Sequence, residues 1–265
     1  MKTLVAGPDT MEFGWMVATW IPAIRNASRS FEETVVVCNP SHTHLYEFAT
    51  RIVPYKAKGV ADRWLFNDKK VRLPPGLVVP LSTSPEDLMA VSPSKEVCTK
   101  WKREYVKYGD AERVEGFELL VHARAETKYK HKKSHRDRNW PIKNYRKVIK
   151  SLGGGRVASI GSKKGASHVP GTEDLRGIPL DKLCDILAAS RVLLSPSSGP
   201  AHLASLCGCP HVVMTYAKRE KAIGSNNRKR YEKLWNPFGT PVSVIDKYGW
   251  QPPVEAVVRK VEKYL

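Results

Sequence analysis

The chain has 265 residues, 42% of them hydrophobic, which suffices for one large or two modest globular domains. No apolar run reaches the roughly 18 residues that span a bilayer. The first apolar run is broken by Pro8, Asp9 and Glu12, unlike a secretion signal. We therefore expect a cytoplasmic protein without an integral membrane segment. The net charge of +18 indicates an anionic partner and says nothing about the fold.

The first half of the chain alternates short apolar runs with helical patterns. Ser94 is a favoured residue type for an N-cap and begins the last of the predicted helices. Strands are predicted at 3–8, 33–40, 51–55 and 76–81, and helices from the first strand to about Asn26, at 42–49 and at 92–109.

The second half is more regular. Strands are predicted at 117–125, 156–162, 191–196, 211–216 and 241–246, and helices at 141–152, 179–190, 199–208 and 252–265. This alternation predicts an α/β fold of two Rossmann-like domains, joined near residues 110–117 and facing a cleft, with parallel sheets covered on both faces. Ligands of such sheets bind beyond the carboxyl ends of the strands. The residues that follow each strand are therefore the candidates for a site.

The stretch SSGPAH follows a buried strand and opens a helix. Gly199 allows the backbone to approach a ligand closely, and the helix presents unpaired N–H groups and the positive end of its dipole. Ser197, Ser198, Gly199 and Pro200 therefore predict a phosphate or diphosphate site, with His202 in the first turn of the helix. The alternatives are a capping turn, for which serine is also favoured, and a purely structural histidine.

Other strand ends and a helix start carry candidates for the same anion. Arg124 ends a predicted strand and Arg138 precedes a predicted helix, and a guanidinium suits a diphosphate. Gly161 and Ser162 follow another strand. No Walker loop occurs, and no G-x-G-x-x-G turn follows a strand, which disfavours kinase and dinucleotide-binding functions.

Two acidic residues, Asp9 and Glu12, follow the first strand. Carboxylates at this point stabilise the dipole of the next helix, and either one is also a candidate general base. No set of His, Cys and Asp has the spacing of metal ligands, so no metal is expected.

Four segments of the second half resemble the nucleotide-sugar-binding half of the lipopolysaccharide heptosyltransferases, a glycosyltransferase family 9 group with the GT-B fold. The segments cover roughly 100 residues in the order and spacing of the family, with Ser-Ser-Gly at 197–199 where heptosyltransferases often have Asp-Thr-Gly. They are VHARA at 121–125, RNWPIKNYRKVI at 138–149, VASIGS at 157–162 and the run from DLRG to HVVM at 174–214.

The resemblance implies a GT-B arrangement with an acceptor-side domain at 1–114 and a donor-binding domain at 115–250. A C-terminal helix at 251–265 would cross back to the first domain. We expect a monomer that needs no cofactor beyond its nucleotide-sugar donor.

The resemblance also implies the roles of particular residues. Arg138, Ser198 and Gly199 would hold the diphosphate of the donor, expected to be a UDP-sugar. Glu12 or Asp9 would be the base. A metal-independent transfer of this kind needs positive groups to take up charge on the leaving diphosphate.

The uneven charge guides the prediction of the acceptor. Residues 124–150 hold eleven Lys or Arg against two acidic residues, and residues 218–233 hold seven against two. Such patches fit a phosphate backbone, so we expect a viral enzyme that glycosylates 5-hydroxymethylpyrimidines in double-stranded DNA, in the host cytoplasm, by flipping the base. The expected nucleic-acid-binding residues are Lys128, Lys130, Lys132, Lys133, Arg136, Lys218, Arg219, Arg228, Lys229 and Arg230.

Two alternatives stay open. An anionic glycolipid acceptor, such as a lipopolysaccharide core, would bring lipid phosphates to the same basic segments. A non-catalytic nucleic-acid-binding protein with a GT-B fold would bind no donor at all.

Overall fold

The structure is a computed structural model in which four stretches are described, residues 2–55, 87–125, 138–217 and 226–265. Contacts within the chain divide it into two units, Met1–Val106 and Lys107–Leu265. Each unit contains a parallel sheet with helices, which confirms the predicted α/β class. The domain boundaries expected after residues 114 and 250 stay predictions.

The first unit is built on four parallel strands in the order β3-β2-β1-β4. Their bounds are Thr3–Ala6 (β1), Glu33–Cys38 (β2), Arg51–Pro54 (β3) and Leu88–Val91 (β4). Strands β1 and β2 are almost wholly buried, as expected for apolar runs covered on both faces. Strand β4 was not predicted, and its exposed residues Leu88 and Met89 lack the burial that marks the other strands. The strand predicted at 76–81 lies outside the described residues.

Short helices follow the strands of the first unit. Ser94 caps α3 as predicted, because its Oγ accepts a hydrogen bond from the Val97 N–H at 3.2 Å. The helices are Phe13–Trp15 (α1), which continues through the π-helical turn Met16–Trp20, Ile21–Ser28 (α2), the 3-10 helix Pro40–Tyr46 and Lys95–Lys100 (α3).

The helix predicted to run to residue 109 ends much earlier. Trp101 has an extended backbone, with ψ at 143°. Beyond it, the Glu104 N–H donates to the Pro22 carbonyl and the Tyr105 hydroxyl donates to the Ala18 carbonyl, each at 2.9 Å. These long-range hydrogen bonds take the place of helical ones, so the prediction is wrong beyond residue 100.

The second unit contains a six-stranded parallel sheet in the order β12-β11-β10-β5-β7-β9 and an antiparallel pair, β6-β8. The strands are Leu119–Val121 (β5), Ala123–Arg124 (β6), Val157–Ser159 (β7), Ala166–Ser167 (β8), Glu173–Asp174 (β9), Leu193–Pro196 (β10), His211–Met214 (β11) and Val242–Ile245 (β12). The helices are Ile142–Ser151 (α4), Leu180–Ala189 (α5), Gly199–Cys207 (α6), Asn227–Lys229 (α7) and Val254–Val261 (α8). The other strands and helices predicted for this half are confirmed, but the single strand predicted at 117–125 is divided into β5 and β6, which belong to different sheets. Strands β8 and β9 and helix α7 were not predicted.

The C-terminal helix packs within the second unit. Val257 and Val261 are fully buried in the same core as Tyr145 of α4. The Trp140 indole N–H donates to the Pro252 carbonyl at 3.1 Å, just before α8 begins. The apolar stripe of α8 thus has a partner in its own unit, and the expected crossing of residues 251–265 into the first domain stays a prediction.

In both sheets the strand order changes direction beside one strand, so that the chain continues on the opposite side of that strand. In the second unit the chain moves from β5 outward to β7 and β9, and then places β10 on the other side of β5. In the first unit β2 and β3 lie on one side of β1, and β4 lies on the other. Ligands of open parallel sheets bind at such switch points, beyond the carboxyl ends of the strands. The loops after β1, β5 and β10 are therefore the places where a site is expected.

Candidate functional site

The turn between β10 and α6 presents an unused backbone donor at the switch point of the second sheet. The Ser197 N–H donates to the Met214 carbonyl at 2.9 Å. The Ser198 N–H donates to the Tyr231 hydroxyl, whereas among the described residues no hydrogen bond uses the N–H group of Gly199. Helix α6 has nine residues, and its dipole adds partial positive charge at this end. The turn therefore has the features of an anion site.

The Ser198 side chain does not cap the helix. Its Oγ donates to the Pro196 carbonyl at 2.9 Å and lies 3.0 Å from the Ser195 Oγ. No side-chain hydrogen bond closes the first turn of α6, and Pro200 in that turn has no N–H. A serine cap, the alternative explanation of this sequence, is thus not what the turn contains.

One guanidinium lies beside this turn. Arg138 donates from Nη2 to the Ser197 carbonyl, and its Cζ lies 4.9 Å from the centroid of the Trp250 ring. The Nε of Arg138 is buried and has no hydrogen-bond partner among the described residues. A buried donor left unpaired costs about 1–3 kcal/mol. The guanidinium adds positive charge beside the turn through its contact with Ser197.

His202 belongs to a buried aromatic stack behind the turn. Its ring lies parallel to Tyr231, with centroids 4.5 Å apart, and meets the edge of Trp235 at 4.8 Å. The Tyr231 hydroxyl lies 3.1 Å from His202 Nε2 and donates to the Ser197 Oγ at 3.1 Å. Burial lowers the pKa of His202 to about 3, so the imidazole is neutral at pH 7. The ring supports the turn through Tyr231, and its expected contact with the donor stays a prediction.

His122 and Arg124 follow β5 at the same switch point. Burial lowers the pKa of His122 to about 4, and its Nδ1 lies 3.1 Å from the Ile160 carbonyl. Arg124 donates from Nη1 to the Asn139 side-chain oxygen at 2.7 Å, and Asn139 is the neighbour of Arg138 in the chain. The structure therefore links the two predicted arginines through one residue.

Gly161 and Ser162 have explanations within the protein itself. Gly161 has φ at +118°, and a Cβ there would lie 2.6 Å from the His122 Nδ1. The Ser162 Oγ accepts a hydrogen bond from the Gly165 N–H at 2.9 Å and closes a turn. Their expected roles in donor binding stay predictions.

In the first unit, the two candidate bases lie in different surroundings. Asp9 is only 6% exposed, and its carboxylate contacts the backbone N–H of Asn39 at 2.8 Å and the Nδ1 of His42 at 2.7 Å. Glu12 is exposed, and no described residue bonds to its carboxylate. The sequence reasoning missed Asn39 and His42. Both follow β2, and polar residues after a parallel strand were the signal that singled out Asp9.

Three of the ten residues expected to bind nucleic acid lie in the described part of the chain, namely Arg228, Lys229 and Arg230. Arg228 donates to both Asp246 oxygens, at 2.7 and 2.9 Å, and to Glu232 at 2.7 Å. Arg230 is 3% exposed and its Cζ lies 5.2 Å from the Trp235 ring centroid. Arg228 and Arg230 thus have partners within the protein, Lys229 is exposed, and the expected binding of these three residues to a phosphate backbone stays a prediction. Outside the described residues lie Lys128, Lys130, Lys132, Lys133, Arg136, Lys218 and Arg219.

Within the described ranges, no group of three or more His, Cys, Asp or Glu is arranged to hold a metal ion. No helix in those ranges is long and apolar enough to cross a bilayer.

Comparisons with known proteins find similarity in structure alone. No protein-family model and no curated protein sequence matches the chain. It is similar to the E. coli heptosyltransferase WaaC with ADP, with a TM-score of 0.57 and 14% identity over 100% of both chains. It is also similar to E. coli ADP-heptose lipopolysaccharide heptosyltransferase II, with a TM-score of 0.54 and 14% identity over 100% of this chain and 98% of the other.

A third similar structure is the family 9 glycosyltransferase of Veillonella parvula, with a TM-score of 0.56 and 12% identity over 99% of this chain and 96% of the other. At such identities the similarity shows a shared fold. The expected resemblance to heptosyltransferases is thus confirmed at the level of the fold. None of these similarities concerns a viral DNA-modifying enzyme.

Proposed function

We propose that the protein is a glycosyltransferase that moves a sugar from a nucleoside diphosphate sugar to a hydroxyl group. The observation that carries the proposal is the anion site of the second unit, where the open N–H group of Gly199 at the N-terminus of α6 lies near the Arg138 guanidinium, which bonds to the Ser197 carbonyl. In such a transfer the bond between the anomeric carbon and the diphosphate breaks, and negative charge collects on the leaving group. Preorganised N–H groups and a guanidinium stabilise that charge.

The comparisons favour an ADP-sugar over the UDP-sugar expected from the sequence. The WaaC structure contains ADP, and the second E. coli neighbour is named for ADP-heptose. Both share the fold of this chain over nearly their whole length. We therefore infer that ADP-heptose is the first donor to test.

For the acceptor, we infer an anionic glycolipid of the lipopolysaccharide-core class. One neighbour is named for lipopolysaccharide, and the net charge of +18 suits a phosphate-bearing acceptor. The same charge predicted DNA. However, Arg228 and Arg230 are held by internal partners, and nothing in the comparisons supports DNA. Hydroxymethylated DNA is therefore an outcome of the test and is not the proposal.

The GT-B arrangement expected from the sequence is part of this proposal. A base from the first domain would act on the acceptor while the second domain holds the donor. Closure of the two domains would exclude water from the reaction.

Purified protein would be incubated with ADP-heptose or UDP-glucose, together with heptose-deficient lipopolysaccharide or DNA that contains 5-hydroxymethylcytosine. Release of nucleoside diphosphate and mass spectrometry of both acceptors are the measurements. We expect ADP release and a heptose mass gain on the lipopolysaccharide. A mass gain on the DNA would support glycosyltransferase activity but identify DNA as the acceptor. No turnover with either donor, and no thermal stabilisation by ADP, would overturn the proposal in favour of a non-catalytic protein.

A further inference from the structure

A buried carboxylate and a partly exposed imidazole form a pair at the switch point of the first sheet. The Asp9 side chain is 3% exposed and that of His42 is 19% exposed, and Asp9 Oδ2 lies 2.7 Å from His42 Nδ1. The other Asp9 oxygen accepts from the Asn39 N–H at 2.8 Å, and the Tyr46 hydroxyl lies 3.4 Å from Oδ2. The carboxylate is thus held on several sides while it faces one imidazole nitrogen.

The topology explains why residues 33 positions apart in the chain meet here. Strands β1 and β2 are parallel neighbours, so the loops that follow them emerge at the same edge of the sheet. Asp9 follows β1. His42 lies in the 3-10 helix Pro40–Tyr46 that follows β2, and Asn39 caps this helix by accepting from the Ser41 N–H at 3.1 Å.

The contact with Asp9 determines which nitrogen of His42 carries the proton. A carboxylate beside Nδ1 favours the tautomer with Nδ1–H and leaves a lone pair on Nε2. No described residue bonds to Nε2. The ring of Phe13, at the start of α1, lies against His42 with centroids 5.7 Å apart. An oriented, partly exposed imidazole of this kind is well suited to accept a proton.

We propose that His42 is the general base of the transfer and that Asp9 is the residue that positions it. The inference rests on the proposed glycosyltransferase function. The proton of the acceptor hydroxyl passes to Nε2 of His42 as the acceptor oxygen bonds to the anomeric carbon. The bond from that carbon to the diphosphate oxygen breaks, and its electron pair leaves with the diphosphate. Asp9 stabilises the imidazolium and takes no proton itself.

This assignment replaces the two alternatives of the sequence. Asp9 is too enclosed to reach an acceptor, since its carboxylate is used by Asn39 and His42. Glu12 is exposed, but no described residue orients its carboxylate. Of these three side chains, His42 combines an orienting carboxylate with a partly exposed ring.

The kinetic test compares His42→Asn, Asp9→Asn and wild type, with ADP-heptose and heptose-deficient lipopolysaccharide as substrates. We expect His42→Asn to lower kcat about 100-fold or more, the usual contribution of a general base, with the donor KM little changed. Asp9→Asn should lower kcat less, and added imidazole should restore part of the activity of His42→Ala. The matched control is His44→Asn in the same 3-10 helix, where the native histidine pairs with Glu47 at 3.2 Å, and it should retain wild-type kcat.

Three outcomes separate the possibilities. If the wild type turns over and His42→Asn has a nearly normal kcat, His42 is not the base, although the glycosyltransferase function stands. A larger loss in Glu12→Gln than in His42→Asn would also overturn it. A wild type without turnover would overturn the proposed function, and this inference with it.

A second measurement does not depend on activity. Long-range proton–nitrogen NMR spectra at about pH 8 report the tautomer of each neutral histidine. We expect His42 to carry its proton on Nδ1, and Asp9→Asn to weaken that preference. A proton on Nε2 in the wild type would overturn the proposal, because that nitrogen would then have no lone pair to accept one.

Discussion

The polar clusters at the two switch points use histidine in opposite ways. In the second unit His202 is enclosed and stacked on Tyr231, and burial lowers its pKa to about 3. In the first unit His42 is partly exposed and faces the Asp9 carboxylate at 2.7 Å. A neutral buried ring can only support neighbouring groups, whereas a partly exposed ring with a carboxylate partner can exchange a proton. Burial and partner, more than residue type, therefore decide what each histidine does.

The largest expected effect is a loss of stability at acidic pH, caused by buried histidines of the second unit. Burial lowers the pKa of His122, His202 and His211 to about 4, 3 and 4. The unfolded chain has the ordinary histidine pKa of about 6.5, so it binds more protons than the folded chain between roughly pH 6.5 and 4. The free energy of unfolding should be unaffected by these residues above about pH 6.5. Below it, stability should fall by up to about 4 kcal/mol per pH unit.

Urea denaturation at about pH 7.5, 6 and 5 measures this dependence. Asparagine at position 122 keeps a donor for the Ile160 carbonyl but does not titrate. His122→Asn should therefore reduce the slope of the free energy of unfolding against pH by the contribution of about one proton. A stability that is flat between pH 7.5 and 5 would mean that these rings are not buried in the neutral form. The contrast between the two clusters would then fail.

The second-largest expected effect is on ADP binding, which should depend on Arg138 and not on His42. Arg138→Ala should weaken ADP binding by about 10- to 100-fold, because charged hydrogen bonds contribute about 1.5–3 kcal/mol. Arg138→Lys should recover only part of the loss, since lysine lacks the guanidinium fork. Isothermal titration calorimetry with ADP is the measurement, and His42→Asn should bind ADP like the wild type. Wild-type affinity in Arg138→Ala would remove Arg138 from the anion site.

The smallest effect compares one tyrosine from each cluster. Tyr231→Phe leaves the Ser197 hydroxyl and the His202 Nε2 without their shared partner, so it should lower the free energy of unfolding by about 1–3 kcal/mol. Tyr46→Phe should cost less, because its contact with Asp9 is long, at 3.4 Å. Urea denaturation of both variants checks the order. The reverse order would show that the Asp9 cluster depends more on Tyr46 than its geometry indicates.

The second unit was the more predictable half for a physical reason. Its strands are continuous apolar runs and its helices carry clear periodicity, as in β10 and α8, so local patterns decide where the elements lie. The turn at Ser197–Gly199 was recognised because it stands directly between a strand and a helix. The first unit was harder, since the chain leaves the helix at Trp101, and Glu104 and Tyr105 then donate hydrogen bonds to distant carbonyls. Strand β4 has the apolar sequence Leu-Met-Ala-Val but is largely exposed, and it was not predicted.

The amino-acid sequence by itself determined the α/β class, the resemblance to heptosyltransferases and the placement of Ser197, Ser198 and Gly199 after a strand. These features are local, because they depend on residues that are neighbours in the chain. The pairing of Asp9 with His42 was decided only by the tertiary structure, as was the internal pairing of Arg228 with Asp246. Each of these contacts joins residues that lie far apart in the sequence. Only the packing of parallel strands, which brings loop ends to one edge, determines which of the many possible partners meet.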